Sequence, residues 1–325
     1  MRSVTLAVLT AFAATIASPA AASCIMSDVE QSWVDGSLSA WSHMVNDRLH
    51  LPPSDPPTII VFNDKCRFET QATETPRWKG EPHQGKVRLP DGGEIPVGVA
   101  SATSHDDKTG TTFFVMALPS IWQAAGIPMS GDLNGLRGVF LHEFAHTRQT
   151  GALKPAFQAA AAIQPMPDDL DDDGVQKRFG TDPIYAAVAE REMRLLAEAA
   201  HEPDAAKAKE LARQALSLIE ARQQRWFNGP DAVWKHYDDI FLTMEGFGQW
   251  VAYAWLADPK GGGLARAAAE EKMRGRKRWW TQEEGLSLFL LVDRFVPDWP
   301  QRAFAPSPAL GIDLLKAVVA DGAQR

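Results

Sequence analysis

This sequence is short of the features that most readily name a function. Cysteine occurs only at positions 24 and 66, too few for a disulfide-dense scaffold. Basic residues are outnumbered, 33 Lys and Arg against 41 Asp and Glu, and a formal charge of -8 makes nucleic acid a poor partner. Beyond residue 22 no stretch is apolar enough to cross a membrane. There is no internal repeat and no low-complexity tract. Only three tyrosines are present, Tyr185, Tyr237 and Tyr253.

Residues 1–22 carry one arginine, an apolar centre and a small-residue end at Ala20-Ala21-Ala22. That is the pattern of a secretory signal peptide, so export to the periplasm or beyond is expected. In an oxidising compartment Cys24 and Cys66 are expected to pair. The rival is lipidation of Cys24, but Ala21-Ala22-Ser23 lacks the leucine usual before a lipidated cysteine, and Cys66 would be left single.

About 300 residues then remain, enough for a large core in one domain or two. Apolar spacing predicts a helix from Ser27 to about His50, interrupted near Gly36 and ended by Pro52-Pro53. Strand-like segments follow at 58–62, 86–89, 95–100 and 111–118, with Asp91-Gly92 as a tight turn. His105, with Asp106 and Asp107, reads as a solvated turn. After Pro119 the chain is almost wholly helical. The expected class is α+β: a small strand-containing portion at 23–130 and a mainly helical body at 131–325.

The organising stretch is Val139-Phe-Leu-His142-Glu143-Phe-Ala-His146-Thr-Arg-Gln149, which contains His-Glu-x-x-His. Positions i and i+4 share a helix face, so His142 and His146 can aim two imidazoles at one metal ion. Glu143 sits beside the first, where it can take a proton from a metal-activated water. Asp132 and Asn134 offer N-capping side chains, and Gly151 with Pro155 suggests an end near Thr150. Gln149 shares the metal face and is a candidate to contact substrate or support a ligand.

A catalytic zinc site usually takes three protein ligands. The continuation found in metzincins fails here, because positions 149 and 152 hold Gln149 and Ala152. A distant carboxylate is therefore needed. Glu245, in Thr243-Met-Glu245-Gly246-Phe247-Gly248-Gln249-Trp250, is the favoured one, with two glycines that let its helix approach closely. Glu192 is the alternative. It falls on the apolar face of the helix expected at 183–200, where a carboxylate must pair with an arginine, orient a ligand or bind the metal. Asp169, Asp171, Asp173 and Gly174 have the opening order of a calcium loop, but its twelfth position is Gly180, so a solvated acidic loop is the stronger expectation. Tyr253, eight positions after Glu245, is a candidate oxyanion donor.

His142-Glu-x-x-His146 together with Glu245-Gly-Phe-x-x-Trp250 resembles the gluzincin class of zinc metallopeptidases, similar to aminopeptidase N and the glycyl aminopeptidases in these two segments. The resemblance implies one zinc ion held by His142, His146 and Glu245, with Glu143 as general base and a peptide or protein as substrate. The chain departs from that pattern in the 98 residues between His146 and Glu245, and in Met244 and Arg148. An exported zinc hydrolase, most simply a peptidase, is thus expected. The alternatives are an envelope or binding protein with a structural zinc, and a zinc hydrolase of non-peptide amides.

Overall fold

The computed structural model describes residues 24–73, 75–106, 108–127, 131–167, 170–274 and 278–320. The expected signal peptide at 1–22 lies outside them. Helix α1 (Asp28–His43) starts with a capping box, in which Ser27 and Glu30 satisfy each other's backbone N–H. It does not break at Gly36. It runs on into a π-helical turn, Met44–Leu49, that closes on His50 at a φ of 49°.

Seven strands follow: β1 (Thr58–Phe62), β2 (Cys66–Gln71), β3 (Lys79–Pro82), β4 (Lys86–Arg88), β5 (Glu94–Pro96), β6 (Ser101–Asp106) and β7 (Thr111–Ala117). Five of them form one sheet in the order β3-β2-β1-β7-β6, with β1 and β7 parallel and the other pairs antiparallel. β4 and β5 form a separate hairpin. The period of two divides the central strands between two cores. Ile59, Val61, Phe114 and Met116 face the helices, while Ile60, Phe62, Phe113 and Val115 face the hairpin, packing on Val87. Cys24 and Cys66 are disulfide-bonded and tie the start of the described chain to β2. Such a bond belongs to an oxidising, non-cytoplasmic setting.

β7 is covered by β6, so the edge of the sheet beside the long helix is β6. One expectation needs correction. His105 does not sit in a solvated turn but within β6, half-buried, with its ring reaching Thr112 across the pair; Asp107 lies outside the described residues. The composition Ser-Ala-Thr-Ser-His-Asp lacks the branched and aromatic residues that mark strands, and pairing with β7 overrides that local preference.

The helical body comprises α2 (Pro119–Ala124), α3 (Leu133–Ile163), α4 (Gly174–Phe179), α5 (Pro183–His201), α6 (Ala205–Trp226), α7 (Trp234–Ala257), α8 (Arg266–Met273), α9 (Trp280–Phe295), α10 (Trp299–Ala303) and α11 (Gly311–Ala320). α3 does not stop near Thr150 but continues through Pro155 to Ile163. Proline frees the carbonyl of the residue four before it, and here that residue is the exposed Gly151, whose carbonyl water can satisfy. One buried cluster runs from α1 and the sheet through α3 into α7, α9 and α11. Among the described residues no helix is long and apolar enough to cross a membrane.

Candidate metal centre

α3 and α7 cross with their most intimate contact at the site. A Cβ on Gly248 would stand 2.9 Å from the His142 ring, so only glycine lets α7 come this near. Gly246, expected to serve the same approach, faces elsewhere. It meets Gly285 of α9, where a Cβ would lie 2.9 Å from Gly285 Cα. The two glycines thus seat α7 between α3 and α9.

This crossing brings His142, His146 and Glu245 together, all buried, with one donor atom from each within 4.8 Å of the others. Glu245 Oε2 lies 3.2 Å from His142 Nε2, and Glu245 Oε1 lies 3.4 Å from His146 Nε2. Two donors about 2.05 Å from one ion at a tetrahedral angle stand about 3.3 Å apart. The donor set therefore fits a divalent ion such as zinc in its chemistry, and its donor atoms lie close enough together to share one. Among the described residues no other group of three His, Cys, Asp or Glu converges in this way.

The surrounding hydrogen bonds orient the donors. His146 Nδ1 is 2.8 Å from Gln149 Oε1, and the Gln149 amide nitrogen donates to the Thr243 carbonyl at 3.2 Å. With its NH2 end engaged, Gln149 presents oxygen to His146, which places the ring proton on Nδ1 and leaves the Nε2 lone pair facing Glu245. Gln282 donates to Glu245 Oε2 at 3.1 Å, and Gln249 donates to Gln282 at 2.8 Å. Among the described residues His142 Nδ1 has no hydrogen-bond partner; packing against Gly248 holds that ring instead.

Burial opposes ionisation of Glu245, but His142, His146 and Gln282 outweigh it and hold its pKa at about 2. Burial likewise opposes protonation of His142, and Glu245 raises it in net; His146 ends lowered, mainly by burial. Glu143, half-buried beside His142, is pushed up to about 7 by burial, against the pull of His142 and with Glu245 and Asp172 adding to the rise. No hydrogen bond holds its carboxyl among the described residues. Its main-chain oxygen accepts from Thr103 Oγ1 of β6 at 2.7 Å, which ties the edge strand to the site.

Other expected site residues lie elsewhere. Glu192 is not at the metal cluster: its Oε2 accepts from Arg222 Nε at 2.7 Å in a buried network with Asp238 and Tyr185. Tyr253 lines a separate cavity of about 730 Å³ with Arg48, Arg266 and Asp293, and does not join the cluster. Tyr185 is bound to Arg222, and Tyr237 is buried in the core around Trp234 and Phe241. For the calcium loop, Asp169 lies outside the described residues and Asp171 is paired with Lys177.

Sequence reasoning missed Gln282, Gln249, Thr103 and Asp172. The first three carry no motif signal. Asp172 stood in an acidic run that was visible, but nothing local distinguished it from its neighbours. No known protein family, curated protein or solved structure matches this chain.

Proposed function

We propose that this chain is an exported, zinc-dependent hydrolase that cleaves peptide bonds. One observation carries the reading. Two imidazole nitrogens of one helix and a carboxylate of another, with 98 residues between His146 and Glu245, converge closely enough to share one ion, and Glu143 adjoins one of them. Held by His142, His146 and Glu245, zinc would polarise a carbonyl and make a water more acidic. Glu143 is placed to accept the water proton and return it to the leaving amine. Its carboxyl is half-buried and has no competing partner, as a group that must exchange protons with substrate requires. β6 supports a peptide as substrate. Among the described residues it pairs only with β7, so an extended chain can add to its open side, and Thr103 links that strand to Glu143. The gluzincin-like order of ligands agrees with this chemistry, and the disulfide agrees with export.

Glu143→Gln separates an enzyme from a protein that keeps zinc for its shape. The variant should retain stoichiometric zinc after dialysis and lose at least about 100-fold in hydrolysis of a peptide library. Undiminished activity in that variant would overturn the proposal. Activity confined to non-peptide amides would keep the site and replace the substrate.

A further inference from the structure

We infer that Asp172 gives the site a preference for a cationic group on the substrate, beside the bond to be cleaved. This rests on the hydrolase reading above and adds a substrate charge to it.

The first turn of α9 brings Asp172 to the site. Thr281 Oγ1 donates to the Asp172 main-chain oxygen at 3.0 Å, and the next residue, Gln282, donates to the Glu245 carboxylate at 3.1 Å. Consecutive Cα atoms are about 3.8 Å apart, so one turn holds the Asp172 backbone and the Glu245 side chain as neighbours. The loop is pinned from behind as well. Gly174 is buried against Trp234, where a Cβ would lie at 3.1 Å, and its N–H donates to the Asp171 carbonyl at 3.0 Å. The Asp172 backbone is therefore held beside the site, and its charge acts on His142, Glu143 and Glu245.

Among the described residues no ion pair reaches the Asp172 carboxyl, whose hydrogen bond comes from its own backbone N–H; Lys177 feels its charge without pairing with it. Lys177 is bound to Asp171, Arg178 to Asp231, and Arg222 to Glu192 and Asp238. Glu143 and Glu245 already balance the two charges of a divalent ion, so the half-buried carboxylate of Asp172 is the uncompensated one. A group of this kind is stabilised by a counter-charge that arrives with the ligand. The fitting chemistry is a protonated amine or guanidinium, which a peptide supplies either as a free α-amino group or as a lysine or arginine side chain.

Three hydroxamates distinguish the sources: Nα-acetyl-lysine hydroxamate carries only the side-chain amine, norleucine hydroxamate only the α-amine, and Nα-acetyl-norleucine hydroxamate neither. Each is titrated calorimetrically into the zinc-loaded chain and into its Asp172→Asn and Asp172→Lys variants. At least one cationic probe should bind about 10-fold tighter than the uncharged one, and which one identifies the source. Asp172→Asn should bring all three within about 2-fold of one another, and Asp172→Lys should make the uncharged probe the tightest. The loop contact to Thr281 uses the backbone and survives both substitutions, which an unchanged melting temperature checks. Equal binding of the three probes to the natural chain, or a preference that persists in Asp172→Asn, would overturn the role of Asp172 alone. Failure of every probe to bind, the uncharged one included, would remove the hydrolase reading and this inference with it.

Discussion

Two sets of buried carboxylates divide the helical body, and they differ in what neutralises them. In the first, Glu192 and Asp238 share Arg222, whose Nη1 lies 3.1 Å from Asp238 Oδ1 and 2.7 Å from the Tyr185 hydroxyl, while Gln223 donates to the second Asp238 oxygen. Glu284 joins them, its pKa raised by burial and by the charge of Glu192. In the second, Glu245 faces, among the described residues, no arginine or lysine, only two imidazoles and an amide. A carboxylate with a built-in guanidinium is complete within the fold. A carboxylate framed by imidazole lone pairs is complete when a cation sits between them. Burial by itself is thus a poor guide to chemistry; the identity of the partner decides it.

The largest expected effect breaks the first set. Arg222→Met strands the Glu192 and Asp238 charges and should destabilise the protein by about 3–5 kcal/mol in urea unfolding, with zinc uptake unchanged. A loss below about 1 kcal/mol would mean that Arg222 is not what makes this cluster tolerable. The second set should instead respond to metal. Free zinc at 100 times its Kd should stabilise the natural chain by about 2.7 kcal/mol, and Glu245→Ala should show neither the stabilisation nor bound zinc after dialysis. A Glu245→Ala protein that keeps one zinc would end the ligand assignment. Gln149→Leu removes the acceptor that orients His146 and should weaken zinc about 10- to 100-fold, read by competition with a chelator; unchanged affinity would show that packing alone holds that ring.

Asp239 sharpens the contrast from a third position. It has the Ile312 N–H as a partner at 3.1 Å and, among the described residues, no ion-paired cation, and burial pushes its pKa up to about 7. A folded pKa above the ordinary 3.8 means that ionisation favours the unfolded chain. The stability contributed by the neutral carboxyl is complete below about pH 4 and is lost as pH rises toward 7. Asp239→Asn keeps the acceptor without the charge, so it should be more stable than the natural chain at pH 8, by on the order of 1 kcal/mol, with the difference closing by pH 4. A gap that is the same at both pH values would show that the charge is not the cause.

Much of the helical body was legible in the sequence because amphipathic spacing is a local property. The helices at 183–201, 205–226 and 234–257 follow their apolar periodicity closely. β2, β3 and β6 were not legible. Their residues are polar or mixed, and they are strands because neighbours pair with them. The end of α3 was misread for a related reason: Pro155 is a local stop signal whose effect depends on whether the freed carbonyl meets water.

Helix geometry already places His142, Glu143 and His146 together, since one turn of backbone separates them whatever the rest of the chain does. The pairing of Cys24 with Cys66 is equally a matter of sequence, as no other cysteine is available. The choice between Glu192 and Glu245 belonged to tertiary structure. Both are buried glutamates on amphipathic helices, and the two glycines after Glu245 favoured it without deciding the matter. The approach of α7 to α3 at Gly248, and the position of Arg222 opposite Glu192, are long-range packing outcomes, and they sent one carboxylate to the imidazoles and the other to a guanidinium.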